Sequence, residues 1–338
     1  MRKKMILLVL TLFIGLSACG NDDKELPDEP GKEQGGNGGD EPENPDNPSG
    51  NEPVSWYVAT TGNDGNSGTL DSPLKSISKA LLRVNPGDTI FLREGAYHEF
   101  VTPTRSGEKG KLITLKSYPG ETAKIDGTGM TIKGWFSALV QLKSVQYMTF
   151  ENLHICNATN SDVNTDPEGV YINGVSRDIT FRNCKVYNIK STCLAGHNNG
   201  DWRSAHAFLV IGDDNGTPIR NLTIEKCEIY DMHTGTSETL TIAGNVDGFT
   251  IQDCEVHDVE NIGIIVAGGD NLNAGGNISV NYARNGVVRR NKVYRCSHQV
   301  SKDFWEGVYN NPAAYGAIGI YVCGGASTII EQNIVWEC

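Results

Sequence analysis

The sequence lacks a surplus of basic residues, a long apolar run and a metal-type C-x-x-C pair. Its formal net charge is −12 over 338 residues, so it has little to attract phosphate and we expect no nucleic-acid partner. The longest apolar stretch, Met5–Leu16, falls short of the roughly 20 residues that a membrane-spanning helix needs. These absences argue against a nucleic-acid binder and against an integral membrane protein.

The spacing of the nine cysteines favours packing over a disulfide or metal framework. Apart from Cys19, eight remain, an even number that invites disulfide pairing in an exported protein. Cys184, Cys227 and Cys254, however, recur at one position of three similar segments, where a small buried side chain fits better. We therefore predict that these thiols are structural.

The N-terminus has the pattern of a secretory signal, because basic residues precede an apolar core and a small-residue end. Leu16-Ser17-Ala18-Cys19 resembles the bacterial lipobox, which implies cleavage before Cys19 and lipidation of that residue. The alternative is an ordinary signal peptide with a chance cysteine. We predict that residues 1–19 are a lipoprotein signal and that a lipid anchor makes the membrane a partner.

Residues 20–53 are predicted to be a disordered acidic linker. The stretch Asn21–Pro53 carries eleven acidic and two basic residues among many Gly, Pro and Asn, and it has almost nothing to bury. An acidic segment directly after Cys19 resembles the surface-export signals of Bacteroidota lipoproteins. This resemblance implies an outer-membrane lipoprotein exposed at the cell surface, with the periplasmic face as the alternative.

Residues 54–338 contain a repeat, which is clearest in Thr180–Asn188, Thr223–Asp231 and Thr250–Asp258. Successive copies are separated by a second apolar run that closes on glycine: Val170–Gly174, Phe208–Gly212, Leu240–Gly244, Ile264–Gly268 and Ile320–Gly324. Two strands per unit without helices between them predict an all-β fold, a single-stranded parallel β-helix or solenoid. Its coils must stack because no unit can cover its own apolar face. We expect one elongated, monomeric domain.

Alternation within the glycine-ended runs predicts which side chains face the core. Their first and third residues are apolar and face inward, which leaves Tyr171, Thr241 and Tyr321 outward. Tyr171 and Tyr321 are therefore candidate substrate contacts. The cysteine column is expected at a bend, and it continues as Asn291 and Asn333, whose amides can bond along the stack.

The start of the domain predicts a cap for the open end of the core. Pro73–Val84 has the pattern of an amphipathic helix with Ser72 as its N-cap. The runs Trp56–Thr69 and Pro86–Glu99 resemble the start of secreted right-handed β-helix proteins, including pectate-lyase-like polysaccharide lyases of family nine. This resemblance implies a right-handed β-helix with an N-terminal capping helix.

Insertions between the strands gather at two corners of the predicted solenoid. One corner holds residues 157–168, 189–207, 232–238, 259–262 and 296–318, and the other holds residues 213–221 and 269–286. Stacking aligns each set, so that the loops can wall a groove along the coils. A groove suits a chain-like ligand, and a polysaccharide is the predicted partner.

Two of these loops carry candidate binding residues. The first has oxygen-bearing side chains at alternate positions, which resembles the opening of a calcium loop: Asp162, Asn164, Asp166 and Glu168. Pro167 stands where a glycine is expected, and a polar solvent loop is the alternative; calcium is the cofactor that this pattern indicates. The second loop carries Trp202 and Arg203, predicted to contact sugar, with packing of the loop on itself as the alternative.

The stretch Gly235–Cys338 resembles a widespread family of secreted bacterial right-handed β-helix proteins. The resemblance rests on Leu240–Phe249, Val256–Ile264, Ala283–Val288 and Gly319–Gly325, and it implies a polysaccharide substrate more firmly than a reaction. The residues expected to converge from adjoining coils are Glu238, His257 and Arg284 as the leading catalytic candidates, Asp258, His206 and His233 behind them, and Asn261 as a substrate contact.

Three functions are compatible with these residues. A β-eliminating lyase needs a cation on the uronate carboxylate and a base near the C5 proton. A glycoside hydrolase needs two carboxyls, here Glu238 with Asp258 or Glu260, and a glycan-binding lipoprotein needs neither. A surface-anchored lyase acting on an acidic glycan is the leading hypothesis. Because Ile329–Cys338 reads as a strand with no cap after it, we also expect further chain to cover that end.

Overall fold

The computed structural model describes residues 52–162, 164–193, 204–268, 279–301 and 317–338. The predicted signal peptide with Cys19, nearly all of the predicted linker, and Trp202 and Arg203 lie outside these residues. No helix in the described part of the chain is long and apolar enough to span a membrane.

The described residues form one α-helix, one short 3-10 helix (His298–Ser301) and 24 strands. The helix α1 is Ile77–Leu81. The strands in chain order are β1 Ser55–Val58, β2 Thr89–Leu92, β3 Gly95–Tyr97, β4 Ile113–Ser117, β5 Ala123–Asp126, β6 Ser137–Lys143, β7 Gln146–Glu151, β8 Leu153–Cys156, β9 Thr159–Asn160, β10 Pro167–Asn173, β11 Arg177–Arg182, β12 Lys185–Ser191, β13 His206–Gly212, β14 Ile219–Glu225, β15 Glu228–His233, β16 Glu238–Gly244, β17 Val246–Gln252, β18 Glu255–Val259, β19 Ile262–Ala267, β20 Arg284–Arg289, β21 Lys292–Cys296, β22 Ile318–Cys323, β23 Ile329–Glu331 and β24 Ile334–Trp336.

These strands build three parallel sheets within the unit Pro53–Cys338. Sheet 1 has the order β1-β2-β4-β7-β11-β14-β17-β20-β23, sheet 2 the order β3-β5-β8-β12-β15-β18-β21-β24 with β9 beside β12, and sheet 3 the order β6-β10-β13-β16-β19-β22. Each central coil gives one strand to each sheet, as β16, β17 and β18 do. The prediction of a right-handed parallel β-helix is confirmed.

The number of strands per coil differs from the prediction, which had two. The repeated segment that begins at Thr180 is broken in the middle, because one residue there adopts the left-handed conformation and turns the chain from sheet 1 into sheet 2. This residue has a positive φ in six successive coils: Asn152, Asn183, Lys226, Asp253, Arg290 and Gln332. Asn and Asp adopt this conformation more readily than most residues, but Lys and Arg at the same place concealed the pattern.

The residue after this bend lies in the predicted cysteine and asparagine column. The thiols of Cys184, Cys227 and Cys254 donate to carbonyl oxygens of the preceding coil at 3.4, 3.7 and 3.5 Å. Asn291 continues the column: its Nδ2 donates to the Ile251 carbonyl at 3.0 Å, and its Oδ1 accepts from the Cys254 amide at 2.9 Å. The predicted ladder is therefore confirmed.

The N-terminal cap is present but shorter than predicted. Helix α1 begins after Ser76, whose hydroxyl accepts from the Lys79 amide, rather than after Ser72. The reason is that Leu74 pairs with Val58 beside β1, which keeps the chain extended through Pro73 and Leu74. Ile77, Ala80, Leu81 and Val84 are buried as predicted and cover the end of the core.

The interior is a column of stacked apolar side chains shared by the three sheets. Phe181 is fully buried; its ring lies 4.6 Å from that of Phe150 and 5.1 Å from that of Phe208. One side chain thus contacts the coil before it and the opposite sheet. Packing of this kind gives the outer face of sheet 3 a fixed shape.

Replacing Phe181 by alanine should lower the free energy of unfolding by about 3–5 kcal/mol, because it leaves a cavity between two coils. Urea unfolding followed by far-UV circular dichroism measures this. Phe100→Ala is the control, since Phe100 is 37% exposed and its loss should cost well under half as much. Equal costs for the two variants would contradict the assignment of Phe181 to the core.

Candidate acid–base site on sheet 3

Three ionisable side chains occupy one row at the start of the sheet 3 strands. Glu168 in β10 is paired with His206 in β13. In the next pair of strands Phe208 lies opposite Leu240, which brings His206 beside Glu238. Glu168, His206 and Glu238, called the carboxylate–histidine row below, therefore come from three successive coils.

The row faces outward, although simple alternation from Val170 would turn Glu168 inward. A Cβ on Gly169 would lie 2.7 Å from the core atom Val186 Cγ1, and Ala207 belongs to the same core. Gly169 and Val170 therefore both face the core, although they are consecutive. As a result, the row lies on the outer face of sheet 3, together with Tyr171 and Thr241. The Thr241 hydroxyl accordingly lies 3.3 Å from Glu238 Oε2, to which it donates.

His206 is held on both sides by carboxylates. Its Nδ1 lies 3.0 Å from each oxygen of Glu168, and its Nε2 lies 3.8 Å from Glu238 Oε2. Relative exposure is 0% for Glu168 and 4% for both His206 and Glu238. The 3.0 Å contacts fix the ring, whereas the 3.8 Å separation leaves Nε2 without a close hydrogen bond to Glu238.

Charge within the row sets the protonation of His206. Burial opposes the imidazolium, but the carboxylates of Glu168 and Glu238 outweigh that effect and raise the pKa of His206 to about 10. Burial also raises the pKa of Glu168, although the contact with His206 acts in the opposite direction. Each partner favours the charged form of the other, so Glu168 and His206 form an ion pair at neutral pH.

Asp166 adds a third buried carboxyl, next to the two in the row. It is 2% exposed, and its Oδ1 has no hydrogen-bond partner. Burial, followed by the negative charge of Glu168, raises the pKa of Asp166 to about 8 despite the neighbouring His206. Its backbone is fixed by bonds to Gly134 and Ser137. Asp166 is therefore a buried carboxyl that holds its proton at neutral pH.

The four residues of the predicted calcium loop do not converge. Asp162 and Asn164 are exposed, and Asp162 Oδ1 accepts from the Asn164 amide at 2.9 Å. Asp166, just before β10, and Glu168, within β10, are buried, and Glu168 binds His206. No group of three or more His, Cys, Asp or Glu among the described residues is arranged to hold a metal. These residues do not fit a calcium loop, and calcium dependence stays a prediction.

His257 and Asp258 lie on sheet 2, not beside Glu238. The His257 ring is stacked between those of Tyr230 and Tyr294, at 5.3 and 5.0 Å, and its Nδ1 lies 2.7 Å from Asp258 Oδ2. A hydrogen bond from Arg295, supported by His257, lowers the pKa of Asp258 to about 2. Asp258 is therefore unsuited to act as a general acid.

Arg284 begins strand β20 of sheet 1. Its guanidinium lies 3.3 Å from Asp247 and 3.0 Å from Asn245 Oδ1, so it contacts strand β17 and the turn that precedes it. The predicted convergence of Glu238, His257 and Arg284 is consequently wrong, because stacking keeps residues of three sheets on three faces. His233 ends β15 on sheet 2 and is paired in register with Lys190.

Three predicted substrate contacts are described. Tyr171 and Tyr321 share the outward column of sheet 3 that also holds Thr241, as predicted. Tyr171 is only 8% exposed and packs near Phe136, with ring centroids 5.4 Å apart. Asn261 lies next to the partner of Glu238 in β19, where its Nδ2 donates to the Ser237 carbonyl at 3.0 Å.

A signal for the row was present in the sequence. Val170, Phe208 and Leu240 were predicted to stack, and the residues two positions earlier are Glu168, His206 and Glu238. The position two residues before each stacked apolar residue therefore predicts that Glu168, a proposed calcium ligand, lies beside the catalytic candidates His206 and Glu238. The small residues at the intervening position, Gly169 and Ala207, mark the change of face.

The family of the chain follows from comparison with known proteins. The model of the Pel9A-like right-handed β-helix region matches residues 56–259. This match covers more than half of the chain, which therefore belongs to that pectate-lyase-like β-helix family.

Individual relatives are longer than this chain. YwoF, an uncharacterized protein of Bacillus subtilis (strain 168), is 31% identical over 282 residues, which are 83% of this chain and 56% of YwoF. Pectate lyase PEL9 of Emericella nidulans is 30% identical over 142 residues, 38% of this chain and 33% of that enzyme. The GH136 lacto-N-biosidase from Eubacterium ramulus superposes with a TM-score of 0.60 at 17% identity, over 84% of this chain and 56% of that one; this likeness shows the fold.

Asp166→Asn should remove a pH dependence of stability. The pKa of Asp166 rises from 3.8 to about 8 on folding. Between these values ionisation favours the unfolded chain, so Asp166 lowers the free energy of unfolding as pH rises from about 4 to about 8. Urea unfolding at pH 5 and pH 8 should show a smaller decrease for the variant than for the wild type.

Asp162→Asn is the matched control for this measurement, because Asp162 is an exposed carboxyl in the same loop. It should follow the wild type at both pH values. Identical pH dependences for the wild type and Asp166→Asn would show that Asp166 is not held protonated.

Proposed function

We propose that this chain belongs to an enzyme that cleaves a polysaccharide, and that the carboxylate–histidine row with Asp166 is its acid–base site. One observation carries the proposal: an outward-facing His206 is held by Glu168 on one side and faces Glu238 on the other, with a protonated carboxyl beside them. Membership of the Pel9A-like family supports a carbohydrate substrate.

Two carboxyl groups near one histidine favour glycoside hydrolysis as the first candidate. Hydrolysis needs two carboxyls that flank the scissile bond, one of which donates a proton to the leaving oxygen. Asp166, protonated at neutral pH, would donate to the leaving oxygen, and Glu238 would activate water or attack the sugar. The imidazolium of His206 would stabilise negative charge on Glu238, and Glu168 would fix the orientation of the His206 ring.

A polysaccharide lyase acting on an acidic glycan is the second candidate, and the observation that favours it is the family itself. β-Elimination would require a positive charge against the uronate carboxylate and a base near the C5 proton. Within the row and Asp166, His206 is the single cationic group, and it is already paired with Glu168. The lyase would therefore need a further cation at the site.

Glu238→Gln and His206→Asn should each lower kcat/KM by about 10²–10⁴-fold on any polysaccharide that the wild type cleaves, because each removes a proton-transfer group or its charge partner. Arg284→Gln is a control on another sheet and should lower activity far less. Reducing-end and ultraviolet assays on a panel of neutral and acidic polysaccharides provide the measurement.

The products separate the candidate reactions. New reducing ends without ultraviolet absorbance indicate hydrolysis, and absorbance from an unsaturated uronate indicates elimination. Saturable binding without either signal would leave a glycan-binding lipoprotein and overturn the proposal of catalysis. Full activity in both Glu238→Gln and His206→Asn would place the site elsewhere.

We further propose that the protein is anchored at the cell surface through Cys19, as the lipobox-like Leu16–Cys19 indicates. Stable anchoring needs more than one acyl chain. Because Cys19 is the predicted site of lipidation, Cys19→Ala should abolish incorporation of a labelled fatty acid and release the protein from the membrane fraction. Retention of label in that variant would contradict lipidation at Cys19, and Cys338→Ala serves as the control.

A further inference from the structure

Cys296 and Cys338 occupy one inward column of sheet 2. Ile189, Met232, Val259 and Cys296 are in register in four successive strands. In the next pair, Tyr294 lies opposite Trp336, so Cys338 follows two residues later at the position beside Cys296. The two thiols therefore belong to equivalent places of neighbouring coils.

The separation of neighbouring strands suits a disulfide. Adjacent strands lie about 4.8 Å apart, which falls within the roughly 4.4–6.8 Å between Cα atoms that a disulfide spans. Both side chains point to the same side of the same sheet. A bond between them would therefore require rotation of the side chains without displacement of a strand.

Glycines leave room around both sulfur atoms. A Cβ on Gly263 would lie 3.1 Å from Cys296 Sγ, and a Cβ on Gly319 would lie 3.3 Å from Cys338 Sγ. Each thiol thus faces a residue without a side chain in the adjoining sheet. A larger residue at either position would crowd a sulfur atom.

The two thiols also interact with each other. A hydrogen bond from Cys296 lowers the pKa of Cys338 to about 7, while the same interaction and burial raise the pKa of Cys296. The lower pKa makes Cys338 the readier nucleophile, with a second thiol beside it.

The column of Cys184, Cys227 and Cys254 differs from this pair in the pKa of its central thiol. All three thiols are buried, and burial together with the neighbouring thiols raises the pKa of Cys227 well above its usual range. An exchange reagent cannot reach them without unfolding of the coils. They serve as an internal comparison for Cys296 and Cys338.

We propose that Cys296 and Cys338 form a disulfide that links two neighbouring coils once the protein has been exported. The predicted signal peptide directs the chain to a compartment where disulfides persist. The bond would join strand β21 to the segment after β24 and restrict opening of the coil between them.

Thiol–disulfide exchange with a donor disulfide supplies the chemistry. The Cys338 thiolate attacks one donor sulfur, forming a mixed disulfide and releasing one donor thiolate. Cys296, deprotonated as it reacts, then attacks the Cys338 sulfur and releases the second donor thiolate. The two cysteines lose two electrons and two protons, and the donor disulfide is reduced to two thiols.

The test uses the full chain, exported with its own signal and also treated with oxidised glutathione. Free thiols are alkylated under denaturing conditions without reductant, and the peptides are mapped by mass spectrometry. We expect a linked Cys296–Cys338 peptide that disappears on reduction. Cys338→Ser should free Cys296 for alkylation, whereas Cys254→Ser should leave the linked peptide unchanged.

Thermal unfolding gives a second readout. Reduction should lower the midpoint of the wild type by roughly 5 °C or more and leave that of Cys338→Ser unchanged. Complete alkylation of both cysteines in the exported, glutathione-treated protein would overturn the proposal. A bond from either cysteine to a different thiol would overturn it as well.

Discussion

In-register stacking of parallel coils is the constraint on which the rest of this structure depends. Every residue of a coil lies beside its equivalent in the next coil, about 4.8 Å away. Like residues therefore form columns, and a column is stable only if its members can share one environment. Phe150 and Phe181 do so by ring stacking, and Cys184 and Cys227 do so as buried thiols.

The candidate site follows from the same constraint. A column that alternates carboxyl, imidazole and carboxyl is compatible with stacking because the imidazole separates the two carboxyl groups. Glu168, His206 and Glu238 are held so closely that burial does not neutralise His206, whose pKa rises to about 10. Asp166, outside the column and without an opposite charge of its own, stays protonated. Stacking therefore produces two protonation states within one small region.

Much of the fold could be predicted from the sequence, because repetition makes the core visible. Inward apolar residues, the cysteine column and its continuation through Asn291 were all read from spacing alone. The third strand per coil was missed, since a left-handed Lys226 or Arg290 carries no sequence signal comparable to glycine. Cap length was missed because pairing of Leu74 with Val58 is a long-range contact.

The site was predicted only in part, for a related reason. Sequence proximity and shared loops suggested that Glu238, His257 and Arg284 would meet, but residues of different sheets diverge even when their coils are adjacent. Glu238 and His206 were both named as candidates and do lie together, whereas their partner Glu168 was assigned to a metal loop. Alternation is interrupted at Gly169 and Ala207, and this interruption puts Glu168 and His206 on the outer face. It depends on core packing, which the spacing of residues does not reveal.

Titration of the His206 imidazole tests the account most directly. Nitrogen-15 NMR of the ring, assigned by comparison with His206→Asn, reports the charge on His206 from pH 5 to pH 10. The account predicts that His206 remains protonated at pH 8 in the wild type and loses its proton at a distinctly lower pH in Glu168→Gln. A neutral His206 at pH 7 in the wild type would contradict it.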